Sequence, residues 1–356
     1  MANLFAGIGA VVSVGLVPVF TAGDLAIGGN AVTAYAVVAA FIAAVFIGCQ
    51  VMTVIGVQEK VQPVDEKKER IGLKKMVKVI FNNKPLCWVT ISMLLYNLGS
   101  ALILGFGTNY VYLEFGYNGL FVTAFVAVYA VSSGLVNVFY PALENKLSRK
   151  SIQALGIGIA CLGYLIFFFT GIIWPMNIIA LCAGLLLIGF GQSMFYMVLT
   201  ISISNTVEYN EWKFGSRDEG IIFSLRPFMA KMGSAFQQLV IMIVYLAVGL
   251  TAITNEISAV ENSAAAGNIT DLEKASQIAT AVSKADSSMK IILRACMVFL
   301  PIILLALAYL VLRTKYTIDE KTYAQIMADL DRRHKEAHID EVVIQPEIDP
   351  NAKGQE

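Results

Sequence analysis

Lys231 sits in the run RPFMAKMGSAF, eleven residues past Gly220, with apolar sequence on both sides. At 1.5 Å per helical residue it lies about 16 Å inside its segment, near the midplane of a hydrocarbon core about 30 Å thick. A cation at that depth costs about 2.5–3.5 kcal/mol on insertion scales. A lysine near a helix end can snorkel to the headgroups, but from the midplane that escape is poor. Lys231 therefore requires a carboxylate partner, or water and a polar ligand. Just before it, six of the twelve residues from Glu208 to Glu219 are charged: Glu208, Glu211, Lys213, Arg217, Asp218 and Glu219. Such a cluster, flanked by apolar sequence, is either an ordinary solvated loop or a set of ion pairs at a membrane edge, weak enough to break, since exposed pairs contribute about 0–1 kcal/mol. Arg226 lies beside Pro227, nearer the cluster than Lys231 is, and could reach Glu211 or Glu219 or snorkel.

Other chemistries find little support. Cys49, Cys87, Cys161, Cys182 and Cys296 all lie in apolar segments without CxxC or Cys/His spacing, as buried small residues do. Both histidines, His334 and His338, fall in the polar C-terminal tail. No metal site, cofactor or catalytic residue is expected. A membrane-embedded transferase would need an acid cluster for metal and diphosphate, or a catalytic histidine. Net charge is zero, which gives no footprint for a nucleic acid.

These residues are carried by a chain that is 57% hydrophobic and only 15% charged, with mean hydropathy +0.69. A soluble domain carries about 25% charge, so the partner of most of this surface is the lipid bilayer. Eight apolar segments are long enough to span it: 3–22, 31–57, 86–113, 119–142, 152–172, 175–204, 221–250 and 289–313. Helices are the sensible form, since strands of a membrane barrel would alternate apolar and polar residues. Twenty of the 26 Lys and Arg fall in the loop 58–85, the connection ENKLSRK, the Glu208–Glu219 cluster and the tail from Arg313. By the positive-inside rule, both termini and the cluster are cytosolic. Within 58–85 the residues 71–81 read either as a short amphipathic helix on the membrane surface or as a solvated linker. The outer loop 254–288 reads as a flexible or weakly helical excursion, and the tail past Arg333 as disordered. No Asp or Glu occupies the middle of any predicted span, so Lys231 has no intramembrane counter-ion in this sequence. Candidate polar residues for a cavity are Asn97, Asn109, Tyr110, Gln192, Tyr196 and Thr200, although most such residues make only interhelical contacts. Arg294, one turn into the last span, reads as a snorkelling or outer-gate residue.

The stretch TVEYNEWKFGSRDEGIIFSLRPFMAKMGSAF resembles the loop and eleventh helix of the glycoside–pentoside–hexuronide:cation symporters (melibiose-permease-like), within the major facilitator superfamily. The acid-aromatic-x-acid-aromatic-Lys pattern of that family stands as Glu208-Tyr209-Asn210-Glu211-Trp212-Lys213, its arginine and acid as Arg217 and Glu219, and its helix lysine as Lys231. The segments YNLGSALILGFGTNY, NNKPL and FYPALENKLSRK are similar to other family stretches, and the likeness runs from about Ala2 to Tyr316. Arg226 departs from the pattern, since the melibiose branch has glutamine there.

The resemblance implies an all-α polytopic fold of two six-helix halves, here N-terminally incomplete: 1–57 would be the last two helices of the first half, 58–85 the basic inter-half loop, 86–315 the six-helix second half and 316–356 a cytosolic tail. It implies symport of a sugar with Na⁺ or H⁺ by alternating access in the plasma or inner membrane. Lys231, Arg226, Asn97, Tyr110, Gln192, Tyr196 and Thr200 would then couple substrate and cation, and the Glu208–Glu219 cluster would gate the cytosolic side. Acids on the absent helices one to four, or on a partner, would answer Lys231. The alternatives are a non-transporting fragment and a sensor or partner subunit on a transporter fold.

Overall fold

The computed structural model describes residues 31–56, 73–116, 119–266 and 268–344. These residues form eleven helices: α1 (Ala31–Gly56), α2 (Leu73–Asn82), α3 (Lys84–Phe115), α4 (Gly119–Glu144), α5 (Arg149–Phe169), α6 (Ile178–Phe214), α7 (Glu219–Val248), α8 (Thr251–Ala265), α9 (Asp271–Ser283), α10 (Ser287–Lys315) and α11 (Glu320–Ile344). Seven of them, α1, α3 to α7 and α10, are long and apolar enough to cross a membrane. They correspond to seven of the eight expected spans; the segment 3–22 lies outside the described residues. Because lipid offers no hydrogen-bond partner, each spanning segment must satisfy its own backbone, and a helix is how these segments do so.

α3, α4, α5, α6, α7 and α10 pack into one bundle, with α6 against α4 and α5, and α3 against α7 and α10. The chain reverses at each connection, so the basic segments gather at one end of the bundle, the basic end, and the loops after α3, α5 and α7 at the far end. α1 stands apart: of its described side chains only Ala34 is buried.

Close approach of backbones drives much of this packing, as expected where lipid tails remove the hydrophobic incentive to pair. Along the α5–α6 seam Gly156 and Gly163 face Gly191 and Gly184. A Cβ on Gly163 would lie 2.6 Å from the Gly184 carbonyl, and one on Gly191 would fall on the Gly156 carbonyl and the Ala160 amide. On the other side, Gly233 of α7 is pressed on Asn97 of α3, where a Cβ would come 2.7 Å from the Asn97 Cβ. Polar side chains tie the remaining seams. Ser92 donates to the Ala308 carbonyl across α3 and α10 (2.7 Å), and Asn109 to the Tyr245 hydroxyl across α3 and α7 (2.9 Å).

Of the short helix considered over 71–81, the described residues form α2, Leu73–Asn82. Two expectations are corrected. The 254–288 excursion is not a loose loop: α8 and α9 pack on one another, burying Ile253, Ile257, Val260, Ile278 and Ala281. Thr270 starts α9 with a reciprocal capping box, accepting from the Glu273 amide while the Glu273 carboxylate takes the Thr270 N–H. Bonds to the carboxylate from the Thr270 N–H first, and then from its hydroxyl, hold the Glu273 carboxyl below its ordinary range. The second correction concerns the tail, which is helical in α11 as far as Ile344 rather than disordered beyond Arg333. Ile318, Ile326 and Leu330 form a small apolar cluster against Tyr209 and Trp212 of α6, and this docking orders the helix.

Candidate functional site

Three groups of charged residues occupy different depths of the bundle. Lys231, in the middle of α7, is exposed, and among the described residues no carboxylate pairs with it. Its direction follows from its neighbours. Gly233 and Gln237 face α3, where Gln237 donates to the Ala101 carbonyl (3.1 Å). Lys231 is two residues from Gly233, about 200° around the helix, so it points away from α3. Pro227, Lys231, Ser234 and Gln238 are all exposed at helical spacing. They make a stripe along α7 with three polar side chains at mid-bundle. Pro227 also removes a donor from the helix and frees the carbonyl four residues earlier, Phe223.

Beside this stripe, toward the basic end, Arg226 donates its Nε to the Tyr196 hydroxyl (3.1 Å) and lies over the same ring, 5.5 Å from its centroid. Tyr196 is stacked on Tyr96 at 5.4 Å, and Tyr96 meets Phe195 edge to face. Arg226 is thus seated on an aromatic shelf contributed by α3 and α6. Asn97, one residue from Tyr96, lies where α3 meets Gly233. Of the proposed coupling residues, then, Arg226, Tyr196 and Asn97 gather where α3, α6 and α7 meet, whereas Lys231 lies at similar depth on the opposite face of α7.

The others sit elsewhere. Gln192 is fully buried, accepting from the Tyr129 hydroxyl (2.7 Å) and donating to the Tyr164 hydroxyl (2.9 Å), so it clamps α4, α5 and α6 together. Each end of its amide thus makes one interhelical bond. The Thr200 hydroxyl is buried on α6 without a partner among the described residues. Tyr110 belongs to the far end. No group of three or more His, Cys, Asp or Glu able to hold a metal occurs among the described residues.

At the basic end, the 208–219 cluster divides. Arg217 reaches Glu219 (2.5 Å), Glu211 (2.9 Å) and Glu208 (3.6 Å), joining the end of α6 to the start of α7. The Glu219 hydrogen bond, followed by its charge and by Glu211, raises the Arg217 pKa above its ordinary value. Lys213 turns away to the Tyr209 hydroxyl and ring, and Asp218 accepts from Asn210 and Ser216. Gly215, at φ +69°, makes the left-handed turn that ends α6 and aims the loop back on it. α11 covers this cluster. His334 meets Glu211 at 2.8 Å, Arg333 donates to the Trp212 carbonyl, and the Trp212 indole donates to Asp329.

The sequence reading missed the far-end pair. Arg294, only 4% exposed, binds the Glu114 carboxylate at 2.5 Å, donates to the Thr170 carbonyl at 2.8 Å, and lies 5.8 Å from the Tyr110 ring centroid. Three helices, α3, α5 and α10, meet there. Gly171, at φ +83°, turns the end of α5 over Arg294 in a conformation that favours glycine. The signal lay in the sequence: Glu114 and Arg294 each fall within about two turns of the same end of their spans.

A bundle of long apolar helices, stitched by glycine contacts and carrying an exposed intramembrane lysine, defines a multi-pass membrane protein of the transporter type. The family model described as MFS/sugar transport protein matches residues 1–320, and the chain belongs to that family, one of transporters rather than enzymes, with the all-α major facilitator fold. Among relatives, the chain is 24% identical over 304 residues to a lactose permease of Lactobacillus helveticus, covering 85% of this chain and 42% of that protein. It is 26% identical over 271 residues to the raffinose carrier protein of Pediococcus pentosaceus, covering 75% and 37%. It is 25% identical over 164 residues to a glucuronide carrier protein homolog of Escherichia coli, covering 46% and 35%. The chain spans about two fifths of the length of these relatives.

Proposed function

We propose that this chain carries a sugar, a glycoside, pentoside or hexuronide, across the plasma membrane in symport with Na⁺ or H⁺. The observation behind this reading is Lys231: a mid-span cation on an exposed polar stripe, facing away from its own bundle, with no carboxylate among the described residues. Were that face set against lipid, it would carry the full insertion cost of the charge. Against a wet cavity shared with a second half of the fold, Lys231 meets ligand and counter-charge instead. Its carboxylate then comes from outside the described residues, and occupancy by cation and sugar reorganises that pair. Names of the relatives, lactose, raffinose and glucuronide carriers, favour glycosides and hexuronides.

On this reading α1 belongs to one half of the fold, residues 58–85 link it to the six-helix half at 86–315, and 316–356 is the tail. The basic end, with both chain termini, faces the cytosol. Substrate binds near the midplane, beside the Arg226–Tyr196–Tyr96 shelf and Asn97, and rocking of the halves alternates access. The Arg217 cluster under α11 stabilises the cytosolic side and loosens as access changes.

The experiment is sugar uptake into proteoliposomes under imposed Na⁺ or H⁺ gradients, with a panel of glycosides, pentoses and uronides. Saturable, gradient-dependent accumulation of one sugar is expected, and Lys231→Ala should abolish accumulation above equilibrium while the protein still inserts. Undiminished accumulation by Lys231→Ala would remove it from coupling. Binding without flux in the wild type would overturn the transport reading.

A further inference from the structure

A crevice of about 320 Å³ opens between α4 and α5 near their basic ends, floored by α6. Its walls are apolar: Phe139 and Leu143 of α4, Leu155 of α5, and Phe190 and Met194 of α6. Phe139 and Leu155 are exposed, as are Leu135, Val138 and Leu162 around them, so the opening lies on surface that spans the bilayer. Lys146, in the turn after α4, stands at its mouth. From Lys146 down to Phe139 the chain runs seven residues, about 10 Å along a helix. That matches a headgroup at the membrane surface with the start of an acyl chain below it.

The charges of the turn decide what fits. Arg149 pairs with Glu144 at 3.6 Å and its backbone amide donates to Glu320 at 2.6 Å. Lys150 pairs with Asp319 at 3.4 Å. Lys146 forms no ion pair among the described residues, although it is exposed and sits over an apolar cleft. Both acids that flank the turn from α11, and Glu144 itself, are engaged by other groups. A zwitterionic headgroup would find no uncommitted carboxylate for its cation there, whereas a bare negative charge would find Lys146.

We propose that this crevice holds one anionic phospholipid, its phosphate at Lys146 and an acyl chain against Phe139, Leu155 and Met194. One basic residue near a membrane surface contributes about 1 kcal/mol to binding an anionic lipid, or roughly fivefold in affinity. The site rests on residues of α4, α5 and α6 and on Lys146, and not on Lys231 or its coupling role.

Native mass spectrometry of the full purified chain tests it, with phosphatidylglycerol and phosphatidylcholine of matched acyl chains added in turn. The wild type should retain one phosphatidylglycerol in preference to phosphatidylcholine. Lys146→Ala should cut phosphatidylglycerol retention roughly fivefold and leave phosphatidylcholine unchanged. Leu155→Trp, which fills an exposed position in the cleft, should reduce both. Millimolar glycerol phosphate should displace neither. Equal retention of the two lipids, phosphatidylglycerol retention unaffected by Lys146→Ala, or displacement by glycerol phosphate would each overturn the proposal. The first two would mean annular lipid only, and the third a phosphate site without an acyl chain.

Discussion

Arginine meets carboxylate at both ends of this bundle, in very different surroundings. At the far end the Arg294 side chain is 4% exposed and Glu114 11%, and the guanidinium is further held by the Thr170 carbonyl and the Tyr110 ring. At the basic end Arg217 is 49% exposed and shares itself among Glu219, 47% exposed, and the more buried Glu211 and Glu208, at 14% and 18%. A buried pair has already surrendered its hydration, so separating it strands a charge. An exposed pair exchanges protein for water at little cost and is screened by salt. The far-end pair therefore suits a strut joining α3, α5 and α10, and the basic-end cluster a contact that can open and close during a cycle. On the proposed mechanism, the same chemistry would serve opposite mechanical purposes because burial differs.

The largest effect should come from breaking the strut. Glu114→Ala leaves the Arg294 charge buried without its counter-ion and should destabilise the protein by about 3–5 kcal/mol, read as a large fall in Tm or loss of monodisperse protein. Restoring stability with Glu114→Ala/Arg294→Met would show that the stranded charge, rather than lost packing, is responsible. Arg217→Ala should cost no more than about 1 kcal/mol of stability. Yet, on the proposed mechanism, it should alter the rate of sugar exchange. A fall in stability matching that of Glu114→Ala would erase the contrast between the two ends.

The smallest effect concerns the start of α11. Asp319 accepts from the Thr322 amide and hydroxyl and from Lys150, and these bonds, the Thr322 amide first, hold its carboxyl below the usual range. A depressed carboxyl adds stability at pH above its unfolded value of about 3.9 and loses it as pH falls through the lower folded value. The Asp319 contribution to docking of α11, followed by tryptophan fluorescence, should thus be constant above about pH 5 and weaken slightly below about 4. In Asp319→Asn that acid-dependent step should shrink. Weakening on the alkaline side instead would point to a different group.

Much of this architecture was legible in the sequence because the bilayer demands long apolar runs, and seven of the expected spans have helices in the structure. What escaped notice was written in short or amphiphilic signals. Glu114 read as a loop residue because the apolar run stops at Leu113, whereas α3 continues to Phe115 and carries the acid into contact with Arg294. The α8–α9 pair was hidden by an Ala-, Ser- and Thr-rich composition, although Ile253, Ile257 and Val260 repeat at helical spacing and Thr270 with Glu273 marks a helix start. α11 carries only a narrow apolar stripe, Tyr323, Ile326 and Leu330, in a polar background, and its docking surface on α6 cannot be read from the tail alone. Within the candidate site, Lys231 stood out because a mid-span charge is costly. The placement of Gln192 in a clamp between three helices and of Arg226 on an aromatic shelf depended on helix rotation, which sequence spacing does not specify between helices.

The most direct test of the contrast is a pair of double-mutant cycles, Arg294 with Glu114 and Arg217 with Glu219, read by thermal unfolding under one set of conditions. The buried pair should show a coupling several times larger than the exposed pair, whose coupling should stay within about 1 kcal/mol. Equal couplings, or a larger one at Arg217, would contradict the assignment of strut and releasable contact.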